Sequence, residues 1–543
     1  MPTAAVVTAR AESTVHSARN PLADLELSLA VAAPWLIFVL GAALRFYRLE
    51  REPLWFDEAY TVLSVQLPVH GILERLRGEG NAPLYYLVLH FWTAVFGDSE
   101  YTVRLPSALL GSVTIPLVYW VGARMFSRPA GIIAASLAAV SPLHIHYSQE
   151  ARMYPLVPPL AVIVLYAVYR LVIAPGPRAC LALALAGLAG LYTQYYFLFL
   201  LPLAGVAIWG RDRRQSLLYT IGGLALVGLG FAAWIPSFLD QATNSSPDWI
   251  GTFWSTRSIA VAVPWSLQSL GPGAFYPGWA TFKFASSRVT GALSLALAAL
   301  IVGGAVVQLY QSAPRRDGGR AAEDGTTALA LTCGAVLLPL SLAFVVSLLR
   351  RPIYVVARYD LIAWGAYCLL AGAVLSRLNR AAAVGVTALW IGIAAFTLWP
   401  YLTTERPKRN YADMGNRTAQ MLTARARPGE EVVFTAATRT MTQYYLRKDP
   451  DRLRLASYPL GTDAHLGWID DRIFTDKQLA ADEAKRFAAW LADAGNPPPV
   501  VWIVAPKSRG TAPLLAELAR RGYSEDPKRS VGFLLCLHRS PQP

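Results

Sequence analysis

Apolar blocks without a single charged side chain recur along this chain, each about as long as a bilayer is thick. They run over Leu27–Leu44, Leu105–Ala123, Pro129–Gln149, Met153–Tyr169, Ala179–Gly210, Gln215–Leu239, Val289–Pro314, Thr326–Leu349, Leu361–Ser376 and Ala381–Thr404. A helical crossing needs roughly 20 such residues, and in lipid the backbone must satisfy its own hydrogen bonds, so these blocks can be little else than membrane helices. Composition agrees: 54% of the 543 residues are hydrophobic and 15% charged, against roughly a quarter charged in soluble domains. A soluble enzyme, a disordered protein and a disulfide scaffold are excluded. The four cysteines, at 180, 333, 368 and 536, are too scattered for a disulfide frame or a metal cluster. The net charge of +14 reads as topology sorting rather than as nucleic-acid binding.

Basic residues set the parity of the crossings. Arg124 and Arg128, Arg170 and Arg178, Arg211, Arg213 and Arg214, Arg315, Arg316 and Arg320, and Arg377 and Arg380 all sit in short connections. All are cytoplasmic together if the N-terminus is inside and Ala179–Gly210 crosses twice, turning near Gln194 and Tyr195. Pro83–Phe96, being short, then lies in the interface. The expected fold class is a polytopic α-helical membrane protein of about eleven spans, with the C-terminus outside. Residues 1–26 form a cytoplasmic tail that carries no cleavable signal, and 27–404 the membrane part, with outer loops 45–104 and 240–288. Trp249, Trp254, Trp265 and Trp279 in the second loop read as interface anchors, or as lining for a substrate. From Glu405 the chain turns polar. Strands at Glu431–Ala436, Val500–Ala505 and Val531–Leu537, with helices at Asp476–Ala494 and Ala512–Arg521, suggest a small extracytoplasmic α/β domain over 405–543. No repeat and no nucleotide-binding glycine fingerprint stands out, which argues against a soluble nucleotide as energy source.

Three outer segments carry groups able to do chemistry. Leu54-Trp55-Phe56-Asp57-Glu58-Ala59-Tyr60 places two adjacent carboxylates among aromatics just beyond the first span. Acidic residues also suit a helix start, but a general base at the membrane surface fits as well, Asp57 being the base and Glu58 a neighbouring charge or a ligand for substrate hydroxyls. His90, on an apolar helix, reads as a packed residue. Ser148-Gln149-Glu150-Ala151-Arg152-Met153-Tyr154 lies between two spans, where half-desolvated ionisable residues are functional candidates or form a structural Glu150–Arg152 pair. Arg350, Arg351 and Arg358 lie outside against the positive-inside trend, and arginine's planar fork suits a lipid phosphate. One picture uses all of them: arginines hold a lipid-linked phosphate as leaving group while a carboxylate deprotonates an incoming hydroxyl.

At these residues the chain resembles the C-type, polyprenyl-phosphate-dependent membrane glycosyltransferases, in the branch of the protein O-mannosyltransferases and the aminoarabinose lipid A transferase. The likeness rests on Asp57-Glu58, Pro83-Leu84-Tyr85-Tyr86, Arg104-Leu105-Pro106-Ser107-Ala108, Gln149 through Tyr154, Thr193-Gln194-Tyr195-Tyr196 and Arg358-Tyr359, and covers roughly residues 30 to 402. It implies an inverting transfer of a mannose- or arabinose-like sugar from a polyprenyl-phosphate donor to an extracytoplasmic glycan, lipid or protein acceptor. Asp57 takes the place of the base, with Glu58 the second acid of the catalytic pair. Glu150 with Arg152 would help organise the site, Arg358 would hold the donor phosphate, Arg104 would be structural or bind substrate, and Tyr154, Tyr85, Tyr195 and Tyr359 would bind substrate. Asn81-Ala82 stands where many relatives have a histidine or a second proline, so a histidine role there lapses. Catalysis without a metal is expected, a divalent cation shared by Asp57 and Glu58 being the alternative. A transporter or lipid flippase would show midplane charges, broken helices or repeats, and a non-catalytic assembly factor would tolerate loss of Asp57.

Overall fold

A computed structural model describes residues 21–244, 250, 262–273, 288–311, 320–403, 409–435, 438–460, 476–492, 497–505 and 511–540. Trp249, Trp254 and Trp279 lie outside them. The membrane part is helical: α1 (Pro21–Phe46), α2 (Phe56–Val65), α3 (Val69–Arg77), α4 (Leu84–Phe96), α5 (Glu100–Met125), α6 (Arg128–Ala139), α7 (Pro142–Ser148), α8 (Val157–Ile173), α9 (Pro177–Thr193), α10 (Phe197–Leu200), α11 (Arg213–Phe231), α12 (Ile235–Asn244), α13 (Ala262–Leu270), α14 (Arg288–Gln311), α15 (Arg320–Leu349), α16 (Leu361–Leu375) and α17 (Arg380–Thr403). Among the described residues, six helices are long and apolar enough to cross a membrane, or seven if α6 and α7, bent by 59°, make one span. Shorter apolar helices cover Ala32–Phe46, Leu84–Phe96, Pro177–Thr193, Phe197–Trp209 and Leu361–Leu375. The long block 179–210 is thus broken at Gln194–Tyr196.

Sequence explains the bend between α6 and α7. Pro142 cannot donate a backbone hydrogen bond and breaks the ladder, while Ser141 caps α7 through the His144 amide. The carbonyls left over at Ala138 and Ala139 are taken by the buried guanidinium of Arg45, at 3.0 Å each, and Arg45 also reaches Nδ1 of His144 at 2.7 Å. His144 stacks flat on Trp364 of α16 at 4.1 Å. Close helix approach uses glycine: a Cβ on Gly372 of α16 would sit 2.3 Å from the Ala130 carbonyl oxygen of α6, so the two backbones touch.

The polar segment begins with α18 (Arg409–Arg425) and continues through β1 (Glu431–Thr435), α19 (Thr438–Leu446), β2 (Arg454–Tyr458), α20 (Lys477–Ala492), β3 (Val500–Val504), α21 (Thr511–Arg520), β4 (Tyr523–Glu525) and β5 (Leu534–Arg539). These strands form one sheet in the order β2-β1-β3-β5-β4. β2, β1 and β3 are parallel, and β5 runs antiparallel to β3 and β4. Val433, Val501 and Ile503 pack on one face with Phe487 and Leu518 of α20 and α21, and Val432, Phe434 and Trp502 on the other with Leu422 of α18. Cover on both faces is why β1 and β3 read as unbroken apolar runs. The last strand is displaced by a few residues from its expected start, because the chain first makes an isolated bridge at Val531–Leu534.

Candidate active site

Helix α2 starts at the acidic pair, as the helix-start reading expects. Asp57 and Glu58 are its second and third residues, and Glu58 reaches back to the Trp55 amide at 3.4 Å, as acids at that position do. Successive helical residues point about 100° apart, and the two carboxylates diverge. Glu58, 1% exposed, accepts a fork of two 2.7 Å bonds from Arg104 of α5 and a 2.9 Å bond from the Ala151 amide. Both its oxygens are engaged, so it ties three separate segments together and has no lone pair to offer a substrate hydroxyl. This corrects the ligand role entertained for Glu58. Arg104, likewise, spends its remaining donors on the carbonyls of Leu49, Glu52 and Pro53, which makes it structural rather than a substrate contact.

Asp57 keeps about a fifth of its side-chain surface in the open and meets Arg358 at 3.2 Å, across 301 residues of chain. Arg358 is aimed by a strained loop. Ala357 adopts a left-handed φ of 62°, unfavourable for a residue with a Cβ, and its amide donates to Asp360 at 2.8 Å. The Asp360 carboxylate also accepts from Ser269 Oγ at 2.8 Å and from the Tyr354 hydroxyl. The Arg358 guanidinium lies 5.4 Å from the centre of the Tyr154 ring, with Arg152 at 5.9 Å from the same ring.

Arg152 turns its fork towards α2 and α4, donating to Thr61 Oγ1 at 3.1 Å, the Tyr86 hydroxyl at 3.0 Å and Asn81 Oδ1 at 3.4 Å. Thr61 in turn donates to the Asp57 carbonyl at 2.7 Å. Glu150 does not pair with Arg152. It lies 3.0 Å from His146 Nε2, one turn back. Tyr85 is fully buried, bonded to Ser107, whose hydroxyl donates to the Arg152 carbonyl at 3.3 Å, so it supports the site from behind. Tyr195 donates to Gln241 at 2.7 Å and is not brought to the Asp57 cluster; its neighbour Tyr196 stacks on Tyr359 at 4.4 Å. His90 meets the Val65 carbonyl oxygen at 2.7 Å, a packing role as expected.

Sequence reasoning passed over His146 and Glu79, and met Tyr86, Asn81 and Tyr196 only as parts of motifs, without assigning them to the site. Glu79 is 1% exposed, one of its oxygens has no hydrogen-bond partner, and burial pushes its carboxyl up to about 7 against the pull of Tyr60, Arg75 and Arg152. An acid between Gly78 and Gly80 gives no motif signal. Among the described residues no group of three His, Cys, Asp or Glu could hold a metal ion. A cation shared by Asp57 and Glu58 does not fit this arrangement, because Glu58 is turned away and its lone pairs are spent on Arg104 and two amides.

Comparison with known proteins adds to this geometry. Residues 80–238 match the family model of dolichyl-phosphate-mannose-protein mannosyltransferases. No curated protein matches the chain by sequence. By structure the chain is similar to ArnT from Cupriavidus metallidurans bound to undecaprenyl phosphate, at 14% identity and a TM-score of 0.55, over 96% of this chain and 100% of that one. It is also similar to the Archaeoglobus fulgidus oligosaccharyltransferase in its apo form, at 13% identity and 0.52, over 94% and 74%. A further likeness is to the same archaeal enzyme with an inhibitory peptide and a dolichol-phosphate, at 12% and 0.50 over the same shares. One segment of the chain thus matches the mannosyltransferase family model, and nearly the whole chain shares the fold of these two solved membrane enzymes.

Proposed function

We propose that the protein moves a sugar, mannose- or arabinose-like, from a polyprenyl-phosphate carrier to a hydroxyl acceptor at the outer face of the membrane, with inversion at the anomeric carbon. The observation that carries this reading is the Asp57–Arg358 contact at 3.2 Å: a base candidate and a phosphate-binding cation from opposite ends of the membrane part meet at one partly open point. The long spans, the bent pair and the shorter apolar helices leave room for about eleven crossings. Arg211 also pairs with Asp324 at 2.5 Å, which supports placing both those connections on one side of the membrane, and their basic residues favour the cytoplasmic side. Residues 405–543 are then an extracytoplasmic domain over the site.

In the absence of donor, Arg358 has Asp57 as its counterion. The donor phosphodiester, with one negative charge of its own, gives Arg358 an alternative partner and frees Asp57 to accept a proton. The acceptor oxygen then attacks the anomeric carbon as its proton passes to Asp57. The bond from that carbon to the phosphate oxygen breaks, its electron pair stays on the lipid phosphate, and Arg358 offsets the charge that builds there. One base and one displacement give inversion without a sugar–enzyme intermediate. Glu58, Arg104 and the 149–153 turn hold the frame.

The test is transfer by purified protein from a synthetic polyprenyl-phosphate sugar. Asp57→Asn should lose roughly 10²- to 10⁴-fold in kcat. Undiminished turnover in that variant removes Asp57 as the base.

A further inference from the structure

We infer that helix α19 of the polar segment is a clamp on the loop that carries Asp57, with Tyr445 and Arg447 as its positioning residues. The inference rests on the proposed transfer only for its activity readout.

The clamp grips the loop at two points. At the first, the Leu54 amide donates to the Tyr445 hydroxyl at 2.9 Å, just before the N-cap of α2 and three residues before Asp57. Leu54 is fully buried, and a buried amide without a partner is costly, so this bond fixes where α2 begins. At the second, Arg447 grips Asp98 with two bonds to its carboxylate, at 2.6 and 2.9 Å, and one to its carbonyl at 3.2 Å. Tyr444 donates to the same carbonyl at 2.9 Å, and the Arg447 guanidinium lies 3.7 Å over the Tyr444 ring. The bonds from Arg447 hold the Asp98 carboxyl below the usual carboxylate range.

Asp98 is well placed to be gripped. It follows Gly97, whose φ of 81° turns the chain sharply at the end of α4, and it precedes α5, which carries Arg104. Gln66, just past the end of α2, donates to the same carboxylate at 3.0 Å. The two grips therefore stand at the entries of α2 and α5, the helices whose Glu58 and Arg104 lock together. Met441 and Tyr444 are buried in the core of the membrane part, along with Leu54 and Ala59, rather than in either core of the sheet. Although α19 follows β1 in sequence, it belongs to the catalytic frame.

A merely docking helix would share this burial, so the test must separate position from stability. Tyr445→Phe keeps the ring and removes only the hydroxyl. It should lower kcat about tenfold, since small misplacements of a base are expensive, with donor KM held within about twofold. Hydrogen–deuterium exchange of the full-length protein in nanodiscs, without substrate, should rise about tenfold at residues 54–58. Arg447→Ala should act likewise at Asp98 and Arg447→Lys should recover part of the loss. Unchanged exchange at residues 54–58 in Tyr445→Phe overturns the clamp, and so does raised exchange with unaltered kcat per folded molecule. If the wild-type protein transfers no sugar, the proposed activity fails and the exchange result alone decides the clamp.

Discussion

Removing one side of the Arg104–Glu58 pair should cost far more than removing both. Both side chains are almost fully buried, joined by two 2.7 Å bonds, and Arg104 also satisfies carbonyls at Leu49 and Glu52 at 2.9 and 2.8 Å. Arg104→Met leaves a buried carboxylate whose remaining donors are the Ala151 and Trp55 amides. Breaking a buried ion pair from one side costs about 3–5 kcal/mol, and the carbonyls stripped of their donors add to it at about 1 kcal/mol or more apiece. Glu58→Gln keeps the shape and the carbonyl contacts, so it should fall at the lower end of that range. The double variant no longer buries a lone charge and should be less damaged than Arg104→Met alone, a coupling of about 2 kcal/mol or more in a double-mutant cycle. Equilibrium unfolding of purified protein in mixed micelles titrated with SDS reads all four forms. If the single and double effects simply add, the pair does not hold the frame and the reasoning fails.

Three more outcomes follow from the same structure. Glu79 has a folded-state pKa raised from 4.5 to about 7 by burial, so the folded state binds the proton more tightly than the unfolded one and stability should fall as pH rises from about 4.5 to 7. Glu79→Gln should remove that slope and gain up to about 3 kcal/mol at pH 8, read by unfolding at pH 5 and pH 8; parallel curves for the two proteins defeat the argument. Single cysteines at the exposed positions Gln66 and Arg350 should react with an impermeant thiol reagent from outside and one at Arg380 only from inside, in intact cells; either outer position found inside breaks the shared site. Asp360→Ala strips the Ala357 amide, Ser269 and Tyr354 of their acceptor, so it should raise donor KM about tenfold or more through misplacement of Arg358, and an unchanged KM would refute that route.

Adjacent residues show where legibility stops. The sequence marks Asp57-Glu58, Tyr85-Tyr86 and Tyr195-Tyr196 as pairs, but within each pair the two side chains leave the backbone in different directions. One member meets the site cluster and its neighbour meets something else: Asp57 faces Arg358 while Glu58 faces Arg104; Tyr86 meets Arg152 while Tyr85 meets Ser107; Tyr196 meets Tyr359 while Tyr195 meets Gln241. No pattern of residue types says which member turns which way. Glu79 escaped notice for a related reason: what makes it unusual is its burial, and burial of a loop residue has no local signature. The strands at 431–435 and 500–504 were legible because both faces of the sheet are covered, so their residues are apolar without alternation.

Hydropathy and charge by themselves determined that the chain is a bundle of membrane helices with its ionisable groups gathered in a few polar connections, since unbroken apolar runs of about 20 residues suit helices rather than the strands of a barrel and a bilayer penalises every stray charge. Only the tertiary structure decided which acid meets Arg358, which acid meets Arg104, and that a helix from the polar tail bonds to the backbone just before Asp57. Those choices depend on contacts such as Asp57 with Arg358 and Leu54 with Tyr445, separated by 301 and 391 residues, and a contact across that much chain exists only once everything between has folded.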